Sequence, residues 1–336
     1  MRLIHRIIAI VIMVAAMAST ANAMYRIKET YPSAPTSGTV LIICGGHVVY
    51  VIDADKALAS PDWHEAVVWS WDAHSAKEQL GLKESRIDHI SDCKIVDNGQ
   101  KALITSTYGW CAMVDCATGE LLFHSTKTPN SHSADLLPGN LIAVANSDGT
   151  GEYNNSIQLY RADKSNELIA QYEFSRAHGV VWNDETQCLY VAGTRKIGVY
   201  RLEGIQTGSP SLVLECEVSA PRSDIHDIAR VNQGKITVAG KEPYIYDISQ
   251  KSFRNIPALK DRTSLKSMNM NPDTGEMWYT DMTDTADIRF WFTHDIRWLP
   301  GRYSSESPAV SINIPDINVY KIRVAKWGGN PDNINF

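Results

Sequence analysis

The sequence lacks the features that identify several common classes of protein. Its 336 residues include 32 basic and 38 acidic side chains, which gives a formal net charge of −6, whereas a nucleic-acid partner requires a basic surface. There is no nucleophile elbow, no phosphate-binding loop, no low-complexity segment and no linker between domains. We therefore expect a single folded domain that has no nucleic-acid partner.

Cysteine is present, but not in the spacing of a zinc site. The six cysteines lie at positions 44, 93, 111, 116, 188 and 216, without a CxxC pair or a Cys/His pattern. Exported proteins form disulfides, yet a core of this size does not need them. Because Cys93, Cys188 and Cys216 lie inside strand patterns, we expect mostly buried thiols and leave open one bridge at Cys111 or Cys116.

The N-terminal segment has no apolar run long enough to span a bilayer comfortably. Basic residues at positions 2 and 6 precede the run IIAIVIMVAAMA, and Ala21-Asn-Ala23 follows it. This order predicts a signal peptide over residues 1–23 rather than a transmembrane anchor. We expect a mature chain of residues 24–336 that is exported to the periplasm or beyond the cell, has no membrane anchor and is monomeric.

The chain does contain an internal repeat. Six β-type runs end in small residues, and the middle residues of these endings are Cys44, Thr105, Ala145, Ala192, Ala239 and Thr280. Their separations are 61, 40, 47, 47 and 41 residues. A period in the forties with four strands per unit is typical of propeller blades, whereas unrelated strands of a β-sandwich would not be so regular. The sequence therefore predicts an all-β fold, a six-bladed β-propeller in one domain.

The repeat also predicts the blade boundaries. Five blades cover residues 92–126, 133–174, 179–218, 227–256 and 267–314. The sixth is split between strands at 39–44, 47–52 and 66–71 and a C-terminal strand at 318–326. Pairing across the termini removes exposed sheet edges. The loop at 292–309 holds most of the aromatic run FWFTHDIRWLPGRY. We expect these aromatic side chains either to form a ligand rim or to pack between blades.

A ring of ionisable residues precedes the inner strands. Asp92, His132, His178, His226 and Lys266 each lie 13 or 14 residues before the small residue of their blade. Because innermost strands run side by side around a propeller axis, we expect these side chains to meet at one mouth of the channel. The alternative is that they are polar residues satisfied by neighbouring backbone. The split blade adds a sixth member, for which the candidates are Asn318, Tyr320, Lys321 and Arg323.

Arginines lie upstream of several ring members and predict a cationic mouth. The candidates are Arg86, Arg176, Arg222 and Arg262. His89 is close enough to Asp92 to join them. Guanidinium groups bind carboxylates, sulfates and phosphates through charge-assisted pairs. We therefore predict a small anionic ligand, with Asp92, Arg176, Arg222, Arg262 and His89 as ligand-binding residues.

Two segments resemble the inner-strand pairs of calcium-dependent lactonase and phosphotriesterase propellers. These are PDTGEMWYTD at 272–281 and HGVVWNDETQCLYVAG at 178–193. The resemblance implies a calcium ion at the channel, with Asp281 at the position of the family's terminal Asp ligand. His178 stands where those enzymes have Asn, and the first blade has no matching Glu. The ring is also similar to that of propeller-fold polysaccharide lyases, and the whole chain resembles exported bacterial propeller domains of uncharacterised function.

The ring suggests two functions. The first is cleavage of an acidic saccharide by β-elimination, in which Arg or a metal neutralises the carboxylate and His178, His226 or Lys266 removes the adjacent proton. In a variant of this hypothesis, His132, His178 and His226 together bind one divalent metal ion. The alternative is a non-catalytic propeller scaffold that binds a glycan or a protein through the same mouth.

Overall fold

A computed structural model describes residues 38–222, 224–282, 291–300 and 310–326. The predicted signal peptide at 1–23 lies outside the described residues, and so does part of the loop predicted at 292–309. Among the helices of the described ranges, none is long and apolar enough to cross a membrane.

The alternating apolar pattern forms antiparallel strands, as predicted. In the described part of the chain, 24 strands form six sheets of four strands each. Consecutive strands pair within a sheet, and the sheets follow one another around a common centre. The all-β, six-bladed propeller is therefore confirmed.

The strands of each blade have the following bounds. Blade 1 contains β1 (Thr39–Gly45), β2 (Val48–Asp53), β3 (Val67–Asp72) and β24 (Lys321–Lys326). Blade 2 contains β4 (Ile90–Val96), β5 (Lys101–Ser106), β6 (Trp110–Asp115) and β7 (Leu121–Ser125). Blade 3 contains β8 (Ser131–Leu137), β9 (Leu141–Asn146), β10 (Ser156–Arg161) and β11 (Leu168–Glu173).

The remaining blades are built in the same way. Blade 4 contains β12 (Gly179–Asn183), β13 (Cys188–Ala192), β14 (Lys196–Glu203) and β15 (Ser211–Ser219). Blade 5 contains β16 (Ile225–Asn232), β17 (Lys235–Gly240), β18 (Tyr244–Asp247) and β19 (Ser252–Asn255). Blade 6 contains β20 (Leu265–Met270), β21 (Met277–Asp281), β22 (Asp295–Leu299) and β23 (Val310–Asn313).

The C-terminal strand closes the ring, as predicted. Strand β24 pairs antiparallel with β1, with Lys321 opposite Cys44, and occupies the innermost position of blade 1. It lies beside the inner strands β4 and β20 of the two neighbouring blades. The last strand thus pairs with the inner edge of β1 and completes blade 1 between blades 6 and 2.

Short helices lie in the β2–β3 connection of blade 1 and in the connections from blade 1 to blade 2 and from blade 5 to blade 6. They are α1 (Ala54–Ala59), α2 (Lys77–Leu80) and 3-10 turns at Trp63–Ala66, Ala73–Ala76, Glu84–Arg86 and Pro257–Leu259. Helix α2 ends at Gly81, whose φ of 64° is a left-handed conformation that glycine adopts without a steric cost. The helices and turns of residues 54–86 account for the 61-residue separation between the first two repeats.

Hydrophobic cores fill the spaces between neighbouring blades. Between blades 1 and 2, Trp69 and Trp71 of β3 pack in one cluster with Trp110 of β6, and all three are buried. The indole of Trp69 also donates a hydrogen bond to the carbonyl of Cys116 (2.9 Å). The cysteines are free thiols, and all but Cys216 are buried. Bridges at Cys111 or Cys116 are therefore not formed in this structure.

Candidate functional site

A repeated irregularity of the inner strands positions the ring. In blades 2, 3, 5 and 6, the pairing of the innermost strand with its neighbour skips one residue near its start, which is a β-bulge. A bulge bends the strand and redirects the extra side chain. The skipped residues are Ser91, His132, His226 and Lys266. The bulge therefore places three of the predicted residues at equivalent positions.

Blades 1 and 4 fill the same position without a bulge. The backbone N–H of His178 donates to the carbonyl of Ala192 (2.8 Å), and that of Tyr320 donates to the carbonyl of Cys44 (2.8 Å). Tyr320 is therefore the sixth ring member, which the sequence left open among four candidates. We call these six residues the first layer: Ser91, His132, His178, His226, Lys266 and Tyr320.

Asp92 lies one residue deeper than predicted. It pairs with Thr105 across the sheet, as Asp227 pairs with Ala239 and Lys321 with Cys44. These residues form a second layer, which is buried beneath the first. Asp92 is 1% exposed and contacts Arg323 rather than the mouth. The prediction that Asp92 binds ligand directly therefore has no support from its position.

All members of the first layer except Ser91 line a cavity of about 350 Å³. We call it the mouth cavity. Its lining residues are His89, Ile90, Thr107, Asn130, His132, Asp148, Arg176, His178, His226, Lys266, Trp291, Phe292 and Tyr320. The three predicted catalytic residues and two of the predicted ligand-binding residues thus share one concave site. Its mixture of aromatic walls and a few polar groups is typical of small-molecule sites.

Three imidazoles, which we call the histidine stack, line one side of this cavity. The rings of His132 and His178 are stacked, with centroids 4.3 Å apart, and those of His178 and His226 meet edge to face at 5.6 Å. Burial lowers the pKa of His178 to about 3 and that of His226 to about 2, and nearby lysines add to both shifts. The stack is therefore neutral at ordinary pH.

Hydrogen bonds occupy most nitrogens of the stack. His132 accepts from the hydroxyl of Tyr320 at Nδ1 (2.9 Å) and donates from Nε2 to Asn130 Oδ1 (3.0 Å). His178 donates from Nδ1 to the carbonyl of Arg176 (2.9 Å). The ligand atoms of the three imidazoles do not all lie within 4.8 Å of one another. The stack thus presents ring faces rather than converging lone pairs, and its predicted metal role stays a prediction without geometric support.

Lys266 is the most perturbed cation of the mouth cavity. Its Nζ lies 3.2 Å from His226 Nδ1 and 4.4 Å from the ring centroid of Trp291. Burial lowers its pKa to about 7, helped by the positive charges of Lys321 and Arg176. Half of these amines are therefore free bases near neutral pH, which is the state that accepts a proton.

The cavity stands on a buried ionic floor. Arg323 donates from Nε and Nη2 to the two carboxylate oxygens of Asp92 (2.7 Å each) and from Nη2 to Asp227 Oδ1 (2.7 Å). Lys321 Nζ lies 3.1 Å from the same Asp227 oxygen and donates to the carbonyl of His132 (2.8 Å). Burial raises the pKa of Asp92, but the charges of Arg323 and Lys321 outweigh burial and hold it below its usual range. In this floor, the positive charges of Arg323 and Lys321 thus balance the negative charges of Asp92 and Asp227.

A second repeated feature brings Arg176 and His89 to the rim. Two residues before the first layer, four blades have a residue with positive φ, which is rare for side chains other than Gly. These residues are His89 (63°), Asn130 (49°), Arg176 (51°) and Asp224 (64°). The turn directs the side chains of His89 and Arg176 into the lining of the cavity.

Arg176 is placed to receive an anion. Its Nε is a buried donor with no hydrogen-bond partner. The nearest carboxylate oxygen, Asp148 Oδ2, is 3.5 Å away. A buried donor without an acceptor costs about 1–3 kcal/mol. An acidic ligand in the mouth cavity would therefore gain a hydrogen bond that the protein itself does not supply.

Arg222 and Arg262 do not reach the cavity. Each lies four residues before its first-layer residue, beyond the turn that directs Arg176 inward. The guanidinium of Arg222 pairs with Glu242 (3.1 Å), and its side chain is 70% exposed. That of Arg262 pairs with Asp281 (3.1 Å). The implied calcium ligand Asp281 is thus bound to a cation of the chain itself.

Several lining residues were not among the sequence candidates. Trp291 and Phe292 come from the aromatic run, which gave the ligand rim as one of two alternatives. Asn130 and Asp148 had no signal of their own. Asn130 does lie two residues before a first-layer histidine, as Arg176 does, so a comparison of blades at that position could have found it.

Comparisons with known proteins identify a family and the fold. A family model described as "Family of unknown function (DUF6528)" matches residues 1–207. No curated protein matches the chain. A solved chain of a mitotic checkpoint complex is similar at 13% identity and a TM-score of 0.52, over 84% of this chain and 76% of that one. A chain of Kuenenia stuttgartiensis hydrazine synthase is similar at 12% identity and a TM-score of 0.47, over 69% and 68%. The likeness to the checkpoint-complex chain concerns the fold alone.

Proposed function

This chain belongs to the family of unknown function DUF6528, and we propose that its mouth cavity binds a small acidic saccharide and cleaves it by β-elimination. The main support is the position of Lys266, a desolvated amine inside a cavity that also contains Arg176, whose Nε makes no hydrogen bond and lies 3.5 Å from Asp148 Oδ2. A base and a carboxylate-binding cation are the two groups that this reaction requires.

The proposal assigns the carboxylate of the substrate to Arg176. Guanidinium–carboxylate pairs are strong and directional, and Nε of Arg176 donates no hydrogen bond within the protein. Neutralising the carboxylate makes the proton on the adjacent carbon more acidic. The aromatic rings of Trp291 and Phe292 line the same cavity and offer flat apolar surfaces to the sugar ring.

Lys266 then acts as the base. Its free amine takes the proton from the carbon beside the carboxylate. The electron pair of the broken carbon–hydrogen bond then forms a carbon–carbon double bond. The glycosidic bond at the next carbon breaks, and the departing oxygen takes a proton from the new ammonium group or from water. The hydrogen bond to His226 and the aromatic contact with Trp291 hold Nζ in place.

Acidic oligosaccharides provide the direct test. Elimination creates an unsaturated product with new ultraviolet absorbance, whereas hydrolysis does not. We expect turnover by the wild type, a loss of at least about 100-fold in Lys266→Met and no loss in Lys164→Met. Lys164 is an exposed lysine paired with Glu167 outside the cavity and serves as the matched control. Equal turnover in Lys266→Met would contradict the role of this base.

A non-catalytic scaffold is the second candidate. It is favoured by the histidine stack, whose hydrogen bonds leave few nitrogens for proton transfer. Binding without any new absorbance across uronate-containing oligosaccharides would favour this alternative. Loss of that binding in Arg176→Ala would still assign the ligand to the mouth cavity.

We also propose that the protein is exported and acts as a monomer. Export rests on the basic, apolar and A-x-A pattern of residues 1–23. The mass of the protein recovered from its native host should correspond to a chain that begins near Met24. Recovery of a chain that retains residues 1–23 would contradict export by this signal.

A further inference from the structure

A second group of histidines lies outside the mouth cavity, in blade 1. His47 is in the turn between β1 and β2, Asp72 is the last residue of β3, and His74 is in the following 3-10 turn. The backbone holds these segments together, because Ala73 N–H donates to the carbonyl of His47 (3.0 Å) and Val48 pairs with Asp72. We call His47, Asp72 and His74 the loop cluster.

The side chains of the loop cluster converge. One ligand atom from each of the three residues lies within 4.8 Å of the other two. The rings of His47 and His74 meet edge to face, with centroids 4.4 Å apart and an interplanar angle of 73°. Asp72 Oδ1 lies 3.1 Å from His74 Nδ1. Ligand atoms around a tetrahedral ion are roughly 3.4 Å apart, given bonds of 2.0–2.2 Å, so small side-chain movements suffice to enclose one.

We propose that the loop cluster binds one divalent transition-metal ion, with two imidazoles and one carboxylate as ligands. Imidazole donors favour Zn²⁺, Co²⁺, Ni²⁺ or Cu²⁺ over Mg²⁺ and Ca²⁺, which prefer oxygen ligands alone. Three protein ligands leave a further coordination position for water or an exogenous ligand.

The surroundings of the cluster support a cation. Glu84 Oε1 lies 2.8 Å from His74 Nε2, so a second carboxylate is within reach of the same imidazole. In the absence of an ion, His74 bridges Asp72 and Glu84. Glu84 also pairs with Lys77 Nζ (2.6 Å), and His47 adds a second imidazole beside the Asp72 carboxylate.

The cluster also borders a cavity distinct from the mouth. His47 lines a space of about 430 Å³ together with Asp88, His89 and Asp316. His89 and Phe292 line both this space and the mouth cavity. A metal ion held by His47 would thus lie beside a space large enough for a small molecule, and separate from Lys266.

Metal titration of the chelator-treated full chain tests the proposal. With Zn²⁺ as the probe, calorimetry should show one equivalent bound by the wild type. His47→Ala and His74→Ala should each weaken that binding by at least about 100-fold. Co²⁺ supplies a second readout, because ligation by imidazole gives visible absorption bands that should disappear in the same variants.

His64→Ala is the matched control. His64 is also bonded to two carboxylates, Asp62 (2.8 Å) and Asp316 (3.0 Å), but it is not part of a converging group of three. We expect this variant to bind Zn²⁺ as the wild type does. The proposal would be overturned by wild-type protein that binds no Zn²⁺ at millimolar concentration, by undiminished binding in His47→Ala, or by equal loss in His64→Ala. Thermal unfolding without metal verifies that each variant is folded.

Discussion

The histidine stack and the loop cluster both bring imidazoles together, yet their chemistry differs. In the stack, burial and nearby lysines lower the pKa values, and the ligand atoms of the three rings do not all lie within 4.8 Å of one another. In the loop cluster, two carboxylates lie beside His74, and the rings meet edge to face. The sign of the neighbouring charge and the convergence of the ligand atoms, rather than the number of histidines, decide whether a group suits a cation.

The largest expected effect concerns the floor beneath the stack. Arg323→Met removes the cation that satisfies Asp92 and Asp227, and it leaves two buried carboxylates near each other. We expect a loss of about 3–5 kcal/mol in the free energy of unfolding, measured by denaturant titration. Arg222→Ala breaks an exposed pair with Glu242 and should cost at most about 1 kcal/mol. Similar losses in the two variants would show that Arg323 contributes no more to stability than an exposed ion pair does.

Zinc should separate the two histidine groups directly. At a free concentration 100 times its dissociation constant, a ligand bound only by the folded state stabilises it by about 2.7 kcal/mol. We expect this gain in wild type and in His132→Ala, and its loss in His47→Ala. The measurement is thermal unfolding with and without Zn²⁺. A gain that depends on His132 instead would transfer the metal site to the mouth.

Acid should destabilise the fold through the stack. The unfolded chain protonates its histidines below about pH 6.5, whereas folded His178 and His226 stay neutral to about pH 3 and 2. Their contribution to stability is therefore complete above pH 6.5 and falls as the pH drops, by up to about 1.4 kcal/mol per pH unit for each. Denaturant titrations of His178→Gln from pH 7 to 5 should show a smaller decline than wild type. An unchanged decline would contradict the neutral state of this ring.

The smallest effect distinguishes two arginines. Arg176→Ala should weaken binding of an acidic oligosaccharide by about 10-fold or more, because a charge-assisted hydrogen bond is lost. Arg222→Ala should leave affinity within about twofold, since its side chain lies outside the cavity. Calorimetric titration of both variants provides the comparison. Equal losses would imply a broad cationic surface rather than a defined subsite.

The sequence predicts the fold well because each propeller blade repeats the same pattern of strands and small residues. Small residues at strand ends mark each blade, and strand β24 follows from the leftover pattern at 318–326. The ring of His132, His178, His226 and Lys266 was likewise predictable. The cause in each case is a backbone position that recurs with the period of the blades.

The site residues that the sequence did not predict correctly are those whose positions depend on local backbone geometry rather than on the repeat. Separations of 13 and 14 residues both occur in the ring, so counting could not distinguish Asp92 from Ser91, and the bulge at Ser91 decides between them. Arg222 and Arg176 looked equivalent upstream of the ring, but a left-handed turn directs only the latter inward. The loop cluster depends on two loops that meet across β2 and β3, which no period describes.

The titration of Lys266 tests the central claim most directly. Carbon-labelled lysine side chains report protonation by NMR, and ordinary lysines titrate near pH 10.4. We predict one lysine that titrates near pH 7, disappears in Lys266→Met, and moves to higher pH when an acidic oligosaccharide binds, because an anion favours the ammonium form. A spectrum in which every lysine titrates near pH 10 would contradict a buried, reactive amine in the mouth cavity.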